Sequence, residues 1–155
     1  RLKFLVGPRT RAILVNSPHN PTGMVLTDHE RRAIADVARE RDLVIISDEV
    51  YEHVVFDGGA HRSMAEFAPE RTLVVSSGGK TFNTTGWKIG WVCGPAALVA
   101  ATRALAREAG VVAIPNVVFY SDAHKAAGNP LVRFAFCKRP EVIAEAARRL
   151  GDWRP

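Results

Sequence analysis

Two short apolar runs separated by one capped helical stretch constrain this chain more than any other feature. Residues 11–16 read RAILVN and residues 43–46 read LVII. Each run suits a buried strand and is too short for a helix. Between them Thr27 and Glu30 form a T-x-x-E capping box. The helix it opens carries Ala33, Ile34, Val37 and Ala38 on one stripe, and Asp42 closes it. Strand, helix and strand in this order predict a βαβ unit. A crossover of that length returns the chain to the same end of the sheet, so the two strands should run parallel.

The remaining elements follow the same logic. Thr72 to Val75 is a third apolar strand, and Ile89 to Cys93 a fourth. Gly94-Pro95 opens a helix from Ala96 to about Ala109, with proline at a position that needs no amide hydrogen bond. Gly110 stops it, and Val111 to Ile114 runs to Pro115. Leu131 to Cys137 alternates as a half-buried strand. Pro140 begins an amphipathic helix through Leu150, with Val142, Ile143, Ala146, Ala147 and Leu150 inward. The expected class is α/β with a mostly parallel sheet. In such sheets ligands gather beyond the carboxyl ends of the strands. Three polar segments fall there: Ser17 to Gly23, Ser47 to Tyr51 and Ser76 to Lys80. The first holds two prolines and a glycine, which predicts a rigid turn.

Composition narrows the function. A chain of 155 residues, 47% hydrophobic and 24% charged, can build a sizeable core. Its net charge of +5 comes from scattered arginines. Several pair with glutamates at helical spacing, such as Arg149 with Glu145. That is a solvated surface rather than a nucleic-acid face. Cys93 and Cys137 each end an apolar run and read as buried thiols, not a disulfide or metal pair. His19, His29, His53, His61 and His124 lack metal-ligand spacing. No signal peptide or membrane-spanning run stands out, and the expected setting is the cytosol.

The chemistry concentrates in residues 76–94, SSGGKTFNTTGWKIGWVCG. Gly79-Lys80-Thr81 ends like a phosphate-binding P-loop, but that motif requires glycine where Val74 stands. The two glycines before Lys80 are too few to wrap a nucleotide. A lysine among hydroxyls can instead condense with a carbonyl, and pyridoxal phosphate uses that linkage with an acid facing its ring nitrogen. Asp48 is a candidate acid or a plain helix cap. Asn20 and Tyr51 can donate to a ring oxygen, or serve as turn former and half-buried aromatic. Ser77 and Lys88 can hold a phosphate, or be a strand-end hydroxyl and a surface lysine. Arg133 lies within an apolar strand, where a guanidinium needs an anion; its planar fork matches a substrate carboxylate, with a structural salt bridge as the alternative.

NSPHNPTG, SDEVYEH, SSGGKTFNTTGWKIGW and LVRFAFCKR, in this order, resemble the fold-type I aminotransferases of class I/II. The resemblance runs over nearly the whole chain and is nearest the kynurenine/glutamine and N-succinyldiaminopimelate aminotransferase branch. It implies a three-layer αβα large domain over residues 1–107 and an α+β small domain over 108–155, both partial. By matching position, Lys80 would be the Schiff-base lysine and proton shuttle. Asp48 would pair with the pyridinium nitrogen of pyridoxal 5'-phosphate, and Asn20 and Tyr51 would hold the ring oxygen. Ser77 and Lys88 would bind the phosphate. Arg133 would grip the α-carboxylate of the amino acid, and Asn20 would also contact the substrate. The implied reaction moves an amino group from an amino acid to a 2-oxo acid, in an enzyme usually homodimeric. A carbon–sulfur β-lyase on the same fold and a non-catalytic remnant are the alternatives.

The pattern departs from the family in two places. The segment before Arg1, with a glycine-rich phosphate turn and an aromatic that stacks on the pyridine ring, has no counterpart. The helix after Pro95 also runs directly into Gly110 to Pro115, where the family has a long intervening stretch. These departures predict weak cofactor binding and poor turnover.

Overall fold

The computed structural model describes residues 2–87, 89–108, 113–115, 131–135 and 140–152. The chain gathers into two compact units, Arg1–Ser76 and Ser77–Pro155.

The first unit holds α1 (Leu2–Leu5), β1 (Ala12–Asn16), α2 (Asp28–Glu40), β2 (Val44–Asp48), a 3-10 turn at Met64–Glu66 and β3 (Thr72–Ser77), whose last residue opens the second unit. β1 pairs parallel with β2, from Ala12 opposite Val44 to Asn16 opposite Asp48. β2 pairs parallel with β3, from Ile45 opposite Thr72 to Asp48 opposite Val75. The βαβ unit expected from the sequence is present. Its register brings Asn16 and Asp48, the last residues of β1 and β2, level with Val75, two residues before the end of β3.

α2 starts where the capping box requires. Thr27 Oγ1 accepts from the Glu30 amide at 3.2 Å, and Glu30 Oε2 accepts from the Thr27 amide at 2.8 Å. The acids Asp28 and Glu30 in its first turn complement the helix dipole. It ends as the Arg41 amide bonds to the Val37 carbonyl, and Asp42 then takes a left-handed φ of 50°. The core joins Ile34, Ala35 and Ala38 of α2 to Leu43 and Ile45 around β2, and to Met64 and Ala68 beyond. One residue of the expected stripe is corrected: Ala33 is exposed, and Arg31 and Ala35 are buried in line with Ile34 and Ala38. An arginine can occupy that line because its stem is apolar. The Arg31 guanidinium lies 5.9 Å from the centroid of the Phe67 ring and donates through Nη1 to the Leu26 carbonyl.

The second unit holds α3 (Gly78–Thr81), a 3-10 turn at Thr85–Trp87, β4 (Ile89–Cys93), α4 (Ala96–Glu108), β5 (Ala113–Pro115), β6 (Leu131–Ala135) and α5 (Pro140–Asp152). β4 pairs antiparallel with β6, from Ile89 opposite Ala135 to Cys93 opposite Leu131. β5 pairs antiparallel with the other edge of β6. Val99 and Ala106 are the buried residues of α4. On α5 the expected pair forms, with Arg149 Nε donating to Glu145 Oε1 at 2.7 Å; Arg148 donates to the same carboxylate. Val142, expected inward, is exposed, and Ala146 is half-buried. The side chains of Ile143, Ala147 and Leu150 lie outside the described set, as do Gly110, Val111 and Cys137. Cys93, expected to be buried, is half-buried. The mixed α/β class and the parallel pairing of β1, β2 and β3 match the sequence expectation.

Candidate functional site

The candidate residues fall into two sets, one in each compact unit. In the first, Asn16 ends β1 and ties three segments together. Its Nδ2 donates to the Asp48 carbonyl at 3.1 Å, and its Oδ1 accepts from the Asn20 amide at 2.9 Å. The Asp48 carbonyl also accepts from the Ser17 amide at 3.1 Å. Buried Ser17 accepts through Oγ from the Leu26 amide at 3.0 Å. The turn closes as the Gly23 amide donates to the His19 carbonyl at 2.7 Å, with Gly23 at φ 71°, where a side chain would be strained. Within this rigid turn Asn20 Nδ2 donates to the Tyr51 hydroxyl at 3.2 Å. Two residues expected to act on one oxygen are therefore neighbours, although 31 positions apart in sequence.

Asp48 is the last residue of β2 rather than part of the loop that follows. Its Oδ1 accepts from the Val50 amide at 3.2 Å. Among the described residues its Oδ2 accepts no hydrogen bond, and the side chain is half-buried, so one carboxylate oxygen stands available to a donor. Beside it lies a group the sequence did not single out. Glu49 is 5% exposed. Its Oε1 accepts from Ser47 Oγ at 2.8 Å, Ser63 Oγ at 3.0 Å and the Met64 amide at 2.9 Å, and its Oε2 from His61 Nε2 at 2.9 Å. Burial pushes the Glu49 carboxyl upward. The bonds from His61, the Met64 amide, Ser47 and Ser63 outweigh it and hold the pKa below the ordinary carboxylate value.

The second set lies at the end of β3. Ser77 caps α3, its Oγ accepting from the Gly79 amide at 3.2 Å and donating to the Ile89 carbonyl at 3.4 Å. Lys80 is exposed on α3. Hydroxyls from the following turn grip the glycines before it: Thr84 donates to the Gly78 carbonyl at 2.9 Å and Thr85 to the Gly79 carbonyl at 3.1 Å. A Cβ on Gly79 would stand 3.2 Å from the Thr85 Cα, so glycine permits this close approach. Arg133 sits on β6 opposite Trp91 of β4 and Ile114 of β5. Lys88 lies outside the described residues. Asn16, Glu49, His61, Thr84 and Thr85 were all missed from sequence. Only the two threonines carried a visible signal, adjacent hydroxyls four and five residues after Lys80.

Among the described residues, no cluster of His, Cys, Asp and Glu could hold a metal ion, and no helix is long and apolar enough to cross a membrane. The sequence model of the family described as "Aminotransferase class I and II" matches residues 4–149. The chain belongs to that family. A probable N-succinyldiaminopimelate aminotransferase of Mycobacterium tuberculosis is 57% identical over 105 residues, covering 66% of this chain and 26% of the relative. A probable aspartate/prephenate aminotransferase of Thermus aquaticus is 35% identical over 159 residues, covering 97% of this chain and 41% of the relative. The solved N-succinyldiaminopimelate aminotransferase of Mycobacterium tuberculosis superposes with a TM-score of 0.64 at 35% identity, over 96% of this chain and 60% of that one. The chain thus spans 26% to 41% of these two curated relatives.

Proposed function

We propose that this protein transfers an amino group from an amino acid to a 2-oxo acid, with pyridoxal 5'-phosphate as its cofactor. The observation that carries the reading is Lys80, directly beyond β3, with its preceding glycines held by Thr84 and Thr85 in a chain of the aminotransferase family. When bound, the cofactor supplies an electron sink for the carbanion left by a broken C–H bond.

The donor set suits such a group. Asp48 Oδ2 accepts no hydrogen bond among the described residues, which suits the acceptor a protonated ring nitrogen needs. Asn20 has a second amide proton beyond the one it gives Tyr51, and the two would hold the ring oxygen. Lys80 would hold the cofactor through its amine and carry a proton to and from the substrate's α-carbon. Ser77, with Lys88, would bind the phosphate; as the cap of α3 it has little hydrogen-bonding capacity to spare, so Lys88 would carry the charge. Arg133, with Asn20, would grip the substrate carboxylate.

Residues 1–107 are proposed as part of the large domain and 108–155 as part of the small one. The enzyme would be cytosolic and homodimeric. The first donor to test is the one named for the Mycobacterium tuberculosis relative, N-succinyldiaminopimelate.

The purified protein is incubated with pyridoxal 5'-phosphate, reduced with borohydride and mapped by intact mass and peptide analysis. A single adduct on Lys80, absent in Lys80→Ala, is expected. Labelling scattered over surface lysines and unchanged by Lys80→Ala refutes the reading. Release of homocysteine, pyruvate and ammonia from cystathionine, with no added 2-oxo acid aminated, would mark a lyase instead.

A further inference from the structure

Glu49 carries a concentration of hydrogen bonds that the proposed chemistry does not itself use. Three donors converge on Oε1 and a fourth on Oε2, all from the first unit. Buried carboxylates are costly, and this one is fully invested in protein contacts. It stands next to Asp48, the residue assigned to the cofactor ring.

We propose that Glu49 is a positioning residue for Asp48, locking the end of β2 so that the Asp48 carboxylate faces away from the buried network; the inference rests on the function proposed above. Successive side chains of an extended strand point to opposite faces, so residues 47 and 49 share one face and residue 48 takes the other. The strand pattern continues past Asp48, because the Glu49 amide still donates to the Val75 carbonyl at 3.0 Å. Ser47 and Glu49 are joined by a hydrogen bond across that shared face. Glu49 is then bolted to the segment from His61 to Met64. With positions 47 and 49 pinned on one side, the chain cannot rotate Asp48 inward without breaking all four bonds.

His61 shows the same priority. A carboxylate only accepts, so His61 Nε2 must carry the proton of their 2.9 Å bond. Its Nδ1 is buried and has no hydrogen-bond partner among the described residues. A phenylalanine would fill the space without that cost. The imidazole contributes the Nε2 bond to Glu49, which in turn fixes the neighbour of Asp48.

The test follows pyridoxal 5'-phosphate binding by the absorbance of the bound cofactor, together with the pH midpoint of its visible band and the melting temperature of the cofactor-free protein. Ser47→Ala, Glu49→Gln and Glu49→Ala are measured alone and combined with Asp48→Asn. Glu49→Ala is expected to weaken binding about tenfold and to move the pH midpoint in the same direction as Asp48→Asn. Glu49→Gln, which keeps the Oε1 acceptor, should restore most of the affinity. Adding Glu49→Ala to Asp48→Asn should cost nothing further, because the residue being positioned is already disabled.

Additive losses overturn the proposal. So does a lowered melting temperature with affinity and midpoint unchanged within about twofold. Should Glu49→Ala fail to fold, Ser47→Ala completes the same cycle, with a smaller loss expected in the same direction. Borohydride fixation separates the two levels of failure. Cofactor on Lys80 with indifferent Glu49 variants removes this inference alone, whereas no cofactor on Lys80 in the unsubstituted protein removes the functional reading and this inference with it.

Discussion

Replacing Glu49 by leucine keeps roughly the same volume and deletes the acceptor for four donors. Ser47 is 2% exposed and Met64 is 2% exposed, so the Ser47 hydroxyl and the Met64 amide lose their partner where water does not reach. Each buried donor left unsatisfied costs about 1–3 kcal/mol. Ser63 and His61 are half-buried and recover part of their loss by turning toward solvent. The two fully buried donors alone sum to about 2–6 kcal/mol, which spans the cost of breaking a buried ion pair. Against a total stability of about 5–15 kcal/mol for a domain, that is a large fraction.

Urea denaturation reads the difference directly. With a mid-range slope of about 2 kcal/mol per molar, the midpoint should fall by about 1–3 M at pH 7. The sign of the pH dependence is also set. Glu49 has a folded-state pKa held below its ordinary 4.5, so its contribution is complete above 4.5 and is lost as pH falls through the folded value. The gap between the two proteins should therefore narrow on acidification below 4.5. A gap under about 0.5 kcal/mol at pH 7, or one that widens in acid, refutes the reasoning.

Two further outcomes are expected. Thr27→Ala removes the side-chain half of the capping box and should destabilise α2 by about 1 kcal/mol, read as a lower melting temperature with unchanged folded-state circular dichroism. Glu70 receives Arg39 Nε at 2.9 Å and Nη2 at 3.3 Å, which bring its carboxyl down to about 2. Its contribution is present above 4.5 and disappears between there and about 2. Because the pair is open to solvent, Glu70→Gln should cost less than about 1 kcal/mol at pH 7 in urea denaturation, and less still in molar salt.

What the sequence disclosed and what it hid divide along one physical line. The βαβ unit was legible because its signals are local: Thr27 and Glu30 sit three residues apart, and each apolar run declares itself within a few positions. Asp48, Asn20, Tyr51 and Lys80 were legible as chemistry only through separated motifs matching a known family, since nothing in their immediate neighbours shows that Asn20 meets Tyr51. Arg31 was passed over because an apolar stripe counts only apolar letters, while the packed helix counts apolar atoms, and an arginine stem supplies several. Val142 was misjudged in the opposite way, as an apolar letter on a stripe that leaves it exposed. Glu49 was invisible for a deeper reason. Its four donors come from Ser47 and from residues 61–64, and no spacing rule connects a strand end to a turn a dozen residues on. Yet the strand itself offers a rule that sequence reading can use. A side chain presented from one face of a strand is fixed by the residues immediately before and after it, which point to the other face. In Ser47-Asp48-Glu49 the proposed cofactor acid and its proposed support alternate letter by letter, so the polar neighbours of a candidate strand residue are the first place to look for what aims it.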